Sequence, residues 1–388
     1  MQTSIRHNFT SRFRSPARPE SSRRESVEEL YELRYGRRYL RDVPYPLPCD
    51  LAEIQRQNLR TLISCTIFGR PVCSPKVVDN PPRKVLEVGC GSGYWSSMCH
   101  EFFRSRGHAN ISFTGLDIAP LAPNLRQLGV NWTFVRHDLR RTPLPFRDGD
   151  FDLIVLKDLS LTLPIGSYQK LFDDIMRLLK HGGTLEIWES DHVLRSLLPH
   201  AAPAPVKKAE PKDDAKVARK TATYTITPST CFAPVQNSYL RQANDWISKA
   251  LDQRNLPPLP CSRIAPLLLQ EPEHLGHIGM RRVAIPLGHR KDRKPSSPLS
   301  DTGYSNIHAK PRRKTLNADQ IALRQTALTT VLQMIESLEP LLKEVSGKNA
   351  DEWSHWWAAM MANLLGPDAR DLNGECLEVG AWWATRLN

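Results

Sequence analysis

The sequence predicts an α/β fold, a doubly wound and mostly parallel sheet of seven strands. Short apolar strands alternate with helical segments between residues 84 and 189. This alternation is typical of a parallel sheet that is covered by helices on both faces. The first strand ends in a glycine-rich loop, and the next two end in an acidic residue. Such endings meet at the carboxyl edge of a doubly wound sheet, where these folds bind ligands.

The strands and helices follow one another in a regular order. The central strands are predicted at 84–88, 111–117, 132–138, 151–156 and 184–189, and two later ones at 280–287 and 375–385. Apolar residues at helical spacing predict helices over 94–106, 168–179, 239–252, 317–338 and 353–365. The last of these carries a stripe of tryptophan and methionine side chains, which we interpret as packed core.

The segment before the central strands is predicted to be helical. Apolar side chains among charges favour a helix over 27–42. The prolines of Tyr45 to Pro48 predict a rigid extended turn. Asp50 is expected to cap a helix that begins at Leu51.

The basic charge is concentrated in three segments that lack a periodic apolar face. The chain has a formal net charge of +12. Residues 1–26, 201–220 and 290–314 carry +4, +3 and +6, which together account for it. Their composition predicts disorder. The folded part is then near neutral, which argues against a nucleic-acid substrate, and we expect the basic segments to contact regulatory protein partners.

These boundaries define the predicted organisation of the chain. We expect a disordered basic tail, an N-terminal helical lid, a ligand-binding core, a disordered insertion, a substrate-side helix and strand, a disordered basic insertion, and C-terminal helices with the last strand. The corresponding ranges are 1–26, 27–83, 84–200, 201–222, 223–289, 290–316 and 317–388.

Membrane and metal sites have little support in the sequence. No apolar run approaches the roughly 20 residues that a membrane helix needs. None of the eight cysteines forms a C-x-x-C pair, and no other ligand spacing predicts a metal site.

The glycine-rich loop and the acids around it suit a cationic nucleoside. Gly89, Gly91 and Gly93 allow a sharp turn with backbone N–H groups close to a ligand. A carboxylate at Glu87 would repel a pyrophosphate but suits an ammonium group. Asp117 ends the next strand, where it can accept the two hydroxyls of a ribose.

Taken together, these motifs resemble those of class I S-adenosylmethionine-dependent methyltransferases. The resemblance is carried by Val85 to Gly93 (VLEVGCGSG), Asp117, His137-Asp138, Phe151 to Ile154 and Leu179 to Gly183. It implies the Rossmann-like fold of that family and S-adenosylmethionine as the cofactor. The binding residues that it suggests are Glu87, Gly89, Cys90, Gly91, Gly93, Asp117, Ile118, Asp138, Leu139, Lys157 and Tyr39. Glu87 and the loop would meet the methionine moiety, and Asp138 with Leu139 the adenine.

The flanking segment resembles a narrower group. Tyr35 to Tyr39 and Tyr45 to Asp50 are similar to the N-terminal segment of fungal LaeA-type methyltransferases, which are linked to secondary metabolism and development. The resemblance implies a lid over the cofactor. The alternative is an N-terminal helix that only packs on the sheet.

Methyl transfer from a sulfonium is an in-line displacement that needs a base only if the acceptor arrives protonated. The catalytic candidates are Asp158, Glu189 and His192, with Asp191 beside them; each could instead cap a helix or face solvent. Glu186 alternates away from Glu189 along the strand. Lys157 to Ser160 does not match the N-P-P-[YF] motif of enzymes acting on planar amide or base nitrogens. We therefore expect a small-molecule or protein acceptor.

Two further questions stay open at this stage. The chain could instead be a methyltransferase-fold regulatory scaffold that acts mainly through protein interactions. Lys310 to Lys314 resembles a nuclear-import signal, which favours the nucleus or cytoplasm. The acid-free start of the chain resembles a transit peptide, which would favour the mitochondrion.

Overall fold

The computed structural model describes residues 30–198, 212–288, 316–366, 372 and 374–387. The predicted tail 1–26, the basic run 310–314, half of the predicted insertion 201–222 and all but one residue of the predicted insertion 290–316 lie outside these residues. Within the described ranges, no helix is both long and apolar enough to cross a membrane.

Strands and helices alternate through the described chain. The strands are β1 (Tyr31–Arg34), β2 (Arg37–Leu40), β3 (Lys84–Val88), β4 (Ser112–Asp117), β5 (Trp132–Arg136), β6 (Phe151–Lys157), β7 (Leu179–Ser190), β8 (Arg195–Leu197), β9 (Tyr224–Thr225), β10 (Phe232–Ala233), β11 (Leu275–Pro286) and β12 (Glu375–Arg386). The α-helices are α1 (Leu51–Phe68), α2 (Pro75–Asp79), α3 (Tyr94–Arg104), α4 (Tyr168–Leu178), α5 (Lys212–Thr221), α6 (Ser238–Asp252), α7 (Ile264–Leu269), α8 (Ala318–Ser337), α9 (Glu339–Ser346) and α10 (Ala350–Leu365).

The central sheet contains the seven predicted strands in the order β5-β4-β3-β6-β7-β12-β11. The first five are parallel. β12 runs antiparallel between β7 and β11. The short strands β8, β9 and β10 extend the sheet to ten. The doubly wound, mostly parallel α/β fold is therefore confirmed.

The sheet separates two apolar cores because alternate side chains of a strand point to opposite faces. On β6, Leu153 and Val155 pack into the core that contains the C-terminal helices. Ile154 and Leu156 pack into the core beneath α4. Both faces are buried, which is why the strand is apolar at consecutive positions.

The helix predicted over 27–42 is wrong, because residues 31–40 form a β-hairpin. β1 pairs antiparallel with β2, and the turn between them places Tyr35 and Gly36 at φ 52° and 74°. Two consecutive left-handed residues are typical of a tight hairpin turn. The guanidinium of Arg38 lies over the Tyr31 ring, 4.5 Å from its centroid.

The disorder predicted for all of 201–222 is also wrong, since 212–221 forms helix α5. Its composition is charged, but long-range contacts hold it. Asp214 forms an ion pair with Arg281 at 3.1 Å, and the Gln320 amide donates to the backbone oxygens of Arg219 and Lys220. Part of the basic charge therefore belongs to the fold.

The C-terminal helices pack as the apolar spacing predicts. Asn317 caps α8 through a capping box. Trp353 and Trp356 of α10 are buried against Trp246 of α6, so the aromatic stripe is core. α8 also packs on α1, where the Ser337 hydroxyl donates to Glu53 at 2.9 Å.

Candidate active site

A cleft lies at the carboxyl ends of the parallel strands, beneath α1 and the segment that follows β2. Most of the predicted binding and catalytic residues line it: Glu87, Gly89, Cys90, Gly91, Asp117, Ile118, Asp138, Leu139, Lys157, Asp158 and His192. Leu40, Val43, Tyr45, Leu47, Pro48 and Cys49 of the N-terminal segment also line the cleft. This segment is therefore part of the wall, although it is not helical.

The glycine-rich loop has the sharp turn that the sequence predicts. Gly89 and Gly91 have φ of 67° and 50°, where a side chain is strained. A Cβ on Gly89 would also lie 2.3 Å from Cδ2 of Leu159. Gly93 caps α3 at φ 68° and lies off the cleft lining.

Glu87 is a buried acid at the floor of the cleft. Its side chain is 1% exposed, and Oε2 accepts a hydrogen bond of 2.6 Å from the Ser96 hydroxyl. Burial raises the pKa of Glu87 to about 7, because removal from water disfavours the charged form. A bound cation would favour the ionised form.

The two acids beyond the loop have different partners. Asp117 accepts from the backbone N–H of Gly91 at 2.8 Å and of Ala119 at 3.0 Å. Burial nevertheless raises the pKa of Asp117. The Arg140 guanidinium binds both oxygens of Asp138, at 2.7 to 3.0 Å. Burial acts to raise the pKa of Asp138, but its bonds to Arg140 hold it below the usual value. The negative charge of Asp138 is therefore already balanced by Arg140.

Helix α1 brings polar side chains that the sequence did not single out. Asn58 accepts from the Ser92 hydroxyl at 2.6 Å, which ties α1 to the glycine-rich loop. Arg56 pairs with Glu53 at 2.6 Å, and the two side chains are 4% and 1% exposed. The Nη1 atom of Arg56 is buried without a partner in the described residues. Since Arg56 lines the cleft, this N–H group is available to an anionic ligand.

Asp158 lies between two cations just after β6. Its carboxylate is 3.2 Å from Arg60 Nη2 and 2.7 Å from Lys157 Nζ. Burial acts to raise the pKa of Asp158, but Lys157 and Arg60 hold it well below its usual range. A carboxylate held this firmly in its ionised form is a weak proton acceptor. Asp158 is therefore better suited to an electrostatic role than to the role of a general base.

Ser160 joins the other two catalytic candidates. Its Oγ lies 2.8 Å from Glu189 Oε2 and 2.8 Å from His192 Nε2. Burial raises the pKa of Glu189 to about 8, and the negative Asp158 adds to this shift. Burial lowers the pKa of His192 to about 3, and Arg60 acts in the same direction. Glu189 does not line the cleft; it lines a second cavity, between α4 and α7.

Two other residues lie outside the predicted arrangement. Tyr39 is buried on β2 and does not line the cleft. Burial raises the pKa of Tyr39 to about 12.

Asp191 lies with Cys261 and Glu378 in a buried group whose potential ligand atoms are within 4.8 Å of one another. Arg195 bonds to both acids of this group, so a cation already balances them.

The donors and acceptors of the cleft fit S-adenosylmethionine. Glu87 offers a carboxylate to the ammonium group, and the unpartnered Nη1 of Arg56 offers a donor to the carboxylate. Asp117 and the glycine-rich loop remain at the edge where a ribose would lie. The motif that identifies Glu87, Asp117 and the loop is contained in a short stretch of sequence. The contacts of Arg56, Arg60 and Ser160 have no such motif and become visible only in the fold.

Comparison with known proteins identifies a methyltransferase domain. Residues 85–183 match the family model described as a methyltransferase domain. The chain is 30% identical over 169 residues to a protein-L-isoaspartate O-methyltransferase of Pyrobaculum neutrophilum, covering 43% of this chain and 72% of that protein. It is 29% identical to methyltransferase str2 of Strobilurus tenacellus over 39% of this chain and 50% of that protein.

One solved structure is also similar to this chain. It is a Haemonchus contortus phosphoethanolamine N-methyltransferase 2 in complex with phosphomonomethylethanolamine and S-adenosylhomocysteine. The two structures share 13% identity over 87% of this chain and 59% of that one, with a TM-score of 0.37. On the sequence matches, the chain belongs to the methyltransferase family.

Proposed function

We propose that this chain is an S-adenosylmethionine-dependent methyltransferase that acts on a small-molecule or protein acceptor. The observation that carries the proposal is one cleft lined by Glu87, Asp117, Arg56 with its unpartnered Nη1, and His192. Glu87, Asp117 and Arg56 complement the ammonium, ribose and carboxylate of the cofactor, respectively. His192 lies at the end of the cleft that adjoins a smaller neighbouring hollow.

The chain's residues would bind and orient the reactants. When bound, S-adenosylmethionine supplies a methyl group that is already activated by its sulfonium. The ion pair of Arg60 with Asp158 fixes charge at this end of the cleft before an acceptor arrives. Such preorganised groups position reactants and exclude water without reorganising during the reaction.

The acceptor would enter from the side of the C-terminal helices. Arg60, His192 and Met334 line both the cleft and a small neighbouring hollow. The remaining wall of this hollow is mainly apolar, with Leu194, Leu240, Ala243, Ile247, Val331, Ile335 and Leu377. This lining supports an acceptor group that is small or apolar near the reacting atom.

Calorimetric titration of the full chain with S-adenosylmethionine tests cofactor binding. A transfer assay with tritiated methyl groups on host lysate, separated into protein, nucleic acid and small molecules, tests the acceptor class. Label in the protein or small-molecule fraction is expected. Absence of cofactor binding would contradict the proposal, and binding without transfer would favour the regulatory scaffold.

We also propose a link to fungal secondary metabolism or development, which is supported by the LaeA-type resemblance of residues 35–50.

We further propose that the protein is located in the nucleus or cytoplasm. A tagged full chain, compared with one that lacks residues 1–26, tests the location. Mitochondrial signal that disappears with the truncation would contradict it.

A further inference from the structure

The Ser160 hydroxyl stands between two groups that can each carry a proton. Oγ is 2.8 Å from both Glu189 Oε2 and His192 Nε2. The backbone N–H of Ser160 also donates to Glu189 Oε1 at 2.8 Å, which fixes the orientation of the carboxyl group. A hydroxyl has one proton to donate. Ser160 can therefore donate to only one of its two neighbours at a time.

This geometry couples the charge of Glu189 to the tautomer of His192. When Glu189 is ionised, it accepts from Ser160, so Nε2 must carry the proton and Nδ1 has a free lone pair. When Glu189 is protonated, it donates to Ser160, which then donates to Nε2. The proton of the neutral imidazole is in that case on Nδ1.

The second ring nitrogen of His192 has no partner of its own in the described residues. His192 lines the cleft and is 8% exposed. Its Nε2 is held by Ser160, and its Nδ1 is buried with no partner in the described part of the chain. An unsatisfied buried nitrogen is costly unless a ligand completes it. Because Nε2 is already bonded to Ser160, Nδ1 is the ring nitrogen left to accept a proton from an acceptor.

The environment opposes a lasting positive charge on His192. The charged and titratable groups around the three residues are Arg56 and Arg60 of α1, Lys157 at the end of β6, Asp158 just after it, Tyr168 of α4, Asp191 after β7, and Cys261. Burial and Arg60 disfavour the imidazolium. A proton that enters at Nδ1 is thus stable only if the one on Nε2 leaves.

The Glu189 end of this series of hydrogen bonds lies at the second cavity, between α4 and α7. Ser160 and Glu189 both line the second cavity, which has a volume of about 480 Å³. At about 30 Å³ for each water, it has room for on the order of ten molecules. Glu189 can therefore exchange a proton with a compartment separate from the cleft.

We propose that His192, Ser160 and Glu189 form a proton relay that takes the proton of a methyl acceptor whose nucleophilic atom is an O–H or N–H group. The inference rests on the proposed function and deepens it by naming the class of acceptor. His192 is the catalytic residue, and Ser160 and Glu189 are positioning residues that act through it.

Each bond made in the relay is matched by one broken. The acceptor's proton passes to His192 Nδ1, and the electron pair of its former bond stays on the acceptor atom as the nucleophile. The Nε2 proton passes to Ser160 Oγ, and the Ser160 proton passes to Glu189 Oε2. The imidazole ends neutral, in its other tautomer, and Glu189 ends protonated. Release of that proton and return of the tautomer complete the cycle.

Nitrogen NMR of the histidine rings in the full chain tests the relay without an acceptor. The His192 signals are assigned by their loss in His192→Asn. In the wild type, the Nδ1–H tautomer should give way to the Nε2–H tautomer as pH rises through about 8, the pKa to which burial raises Glu189. Glu189→Gln, whose amide donates to Ser160 at every pH, should remain in the Nδ1–H form.

Glu186→Gln is the matched control. Glu186 lies on the same strand but accepts from the backbone N–H groups of Cys73 and Ser74 on the other face. This variant should switch tautomer like the wild type. A wild-type tautomer that is constant through this pH range, or a switch that persists in Glu189→Gln, would overturn the relay.

Kinetics on the labelled acceptor fraction give the second readout. Wild-type turnover should rise with pH as Glu189 loses its proton, and Glu189→Gln should lose this rise along with about a hundredfold in turnover at alkaline pH. Calorimetric titration of each variant with S-adenosylmethionine separates the two proposals. Unchanged cofactor binding with an unchanged pH profile contradicts only the relay, whereas lost binding in the wild type contradicts the proposed function.

Discussion

The two ends of the cleft are built in different ways. At the glycine-rich end, Glu87, the loop and Asp117 lie at the ends of adjacent parallel strands within about 30 residues of sequence. At the His192 end, Arg60 reaches Asp158 across 98 positions, and Glu53 reaches Ser337 across 284. The first end follows from local backbone geometry. The second exists only when α1 and α8 have packed against the sheet.

The two ends also differ in how their charges are balanced. Glu87 is buried and Asp117 is partly buried. No ion pair to either is formed in the described residues, and their bonding partners are a hydroxyl and backbone N–H groups. Asp158 is instead paired with two cations. The glycine-rich end is therefore prepared for a positive ligand, and the His192 end for proton movement.

The largest change should follow loss of the Ser160 hydroxyl. Ser160→Ala separates His192 from Glu189, so turnover should fall by about 10² to 10⁴, the usual contribution of positioned acid–base groups. Ser160→Thr, which keeps a hydroxyl, is the control and should retain more activity. Initial rates across pH and cofactor titration measure the two effects. A uniform loss in both variants with unaltered pH dependence would show that Ser160 matters only for packing.

The α1 wall should be sensitive to an unbalanced charge. Glu53→Leu leaves Arg56 buried without its partner and should lower the free energy of unfolding by about 3 to 5 kcal/mol. Urea unfolding measures the change. The double variant Glu53→Leu with Arg56→Leu removes both charges and should recover part of the loss. Equal losses in the single and double variants would contradict this account.

Cofactor binding should depend on Asp117. Asp117→Ala removes the proposed acceptor of two ribose hydroxyls, each worth about 1.5 to 3 kcal/mol when the partner is charged, so affinity should fall by about a hundredfold or more. Asp152→Ala is the control, because Asp152 binds Lys84, Arg83 and Lys180 at the other end of its strand. Calorimetry that gives equal affinities for the two variants would remove Asp117 from the site.

Affinity for S-adenosylmethionine should weaken as pH falls through about 7, the pKa to which burial raises Glu87. Below that value the carboxyl is protonated and cannot pair with the ammonium group, which costs up to about tenfold for each pH unit. Glu87→Gln should bind weakly at every pH, without this slope. Lys157 and Asp117 also act on Glu87, so an unchanged slope in the variant would assign it to them.

The smallest effect is expected at Tyr39. Because this side chain does not line the cleft, Tyr39→Phe should leave cofactor affinity unchanged within about 0.5 kcal/mol. Calorimetry tests this directly. A tenfold loss would mean that the hairpin moves and brings Tyr39 to the cofactor.

The sequence predicted the sheet and the glycine-rich end well because both depend on local patterns. Apolar runs of strand length, the glycines and the terminal Asp117 each carry their own signal. The hairpin was missed because its turn uses Tyr35 in a left-handed conformation, which glycine, asparagine or aspartate signals more clearly. Helix α5 was missed because its stability comes from Arg281 and Gln320, far along the chain.

The catalytic candidates were predicted singly, but not as a set. Glu189 lies near the end of β7 and His192 just after it, so the sequence brings them to one edge. Ser160 has no distinguishing motif, and only the packing of two loops puts its hydroxyl between them. Arg60 was hidden for the same reason, within an ordinary amphipathic helix.

The position of β12 has a consequence for synthesis of the chain. β12 pairs with both β7 and β11 and lies between them in the sheet, although it follows both in the sequence. Until residues 375–386 have left the ribosome, the edges of β7 and β11 that pair with β12 lack their partner strand. Such edges recruit other strands and promote aggregation. The sheet can therefore close only at the end of synthesis, and until then these two edges are open to pairing with other strands.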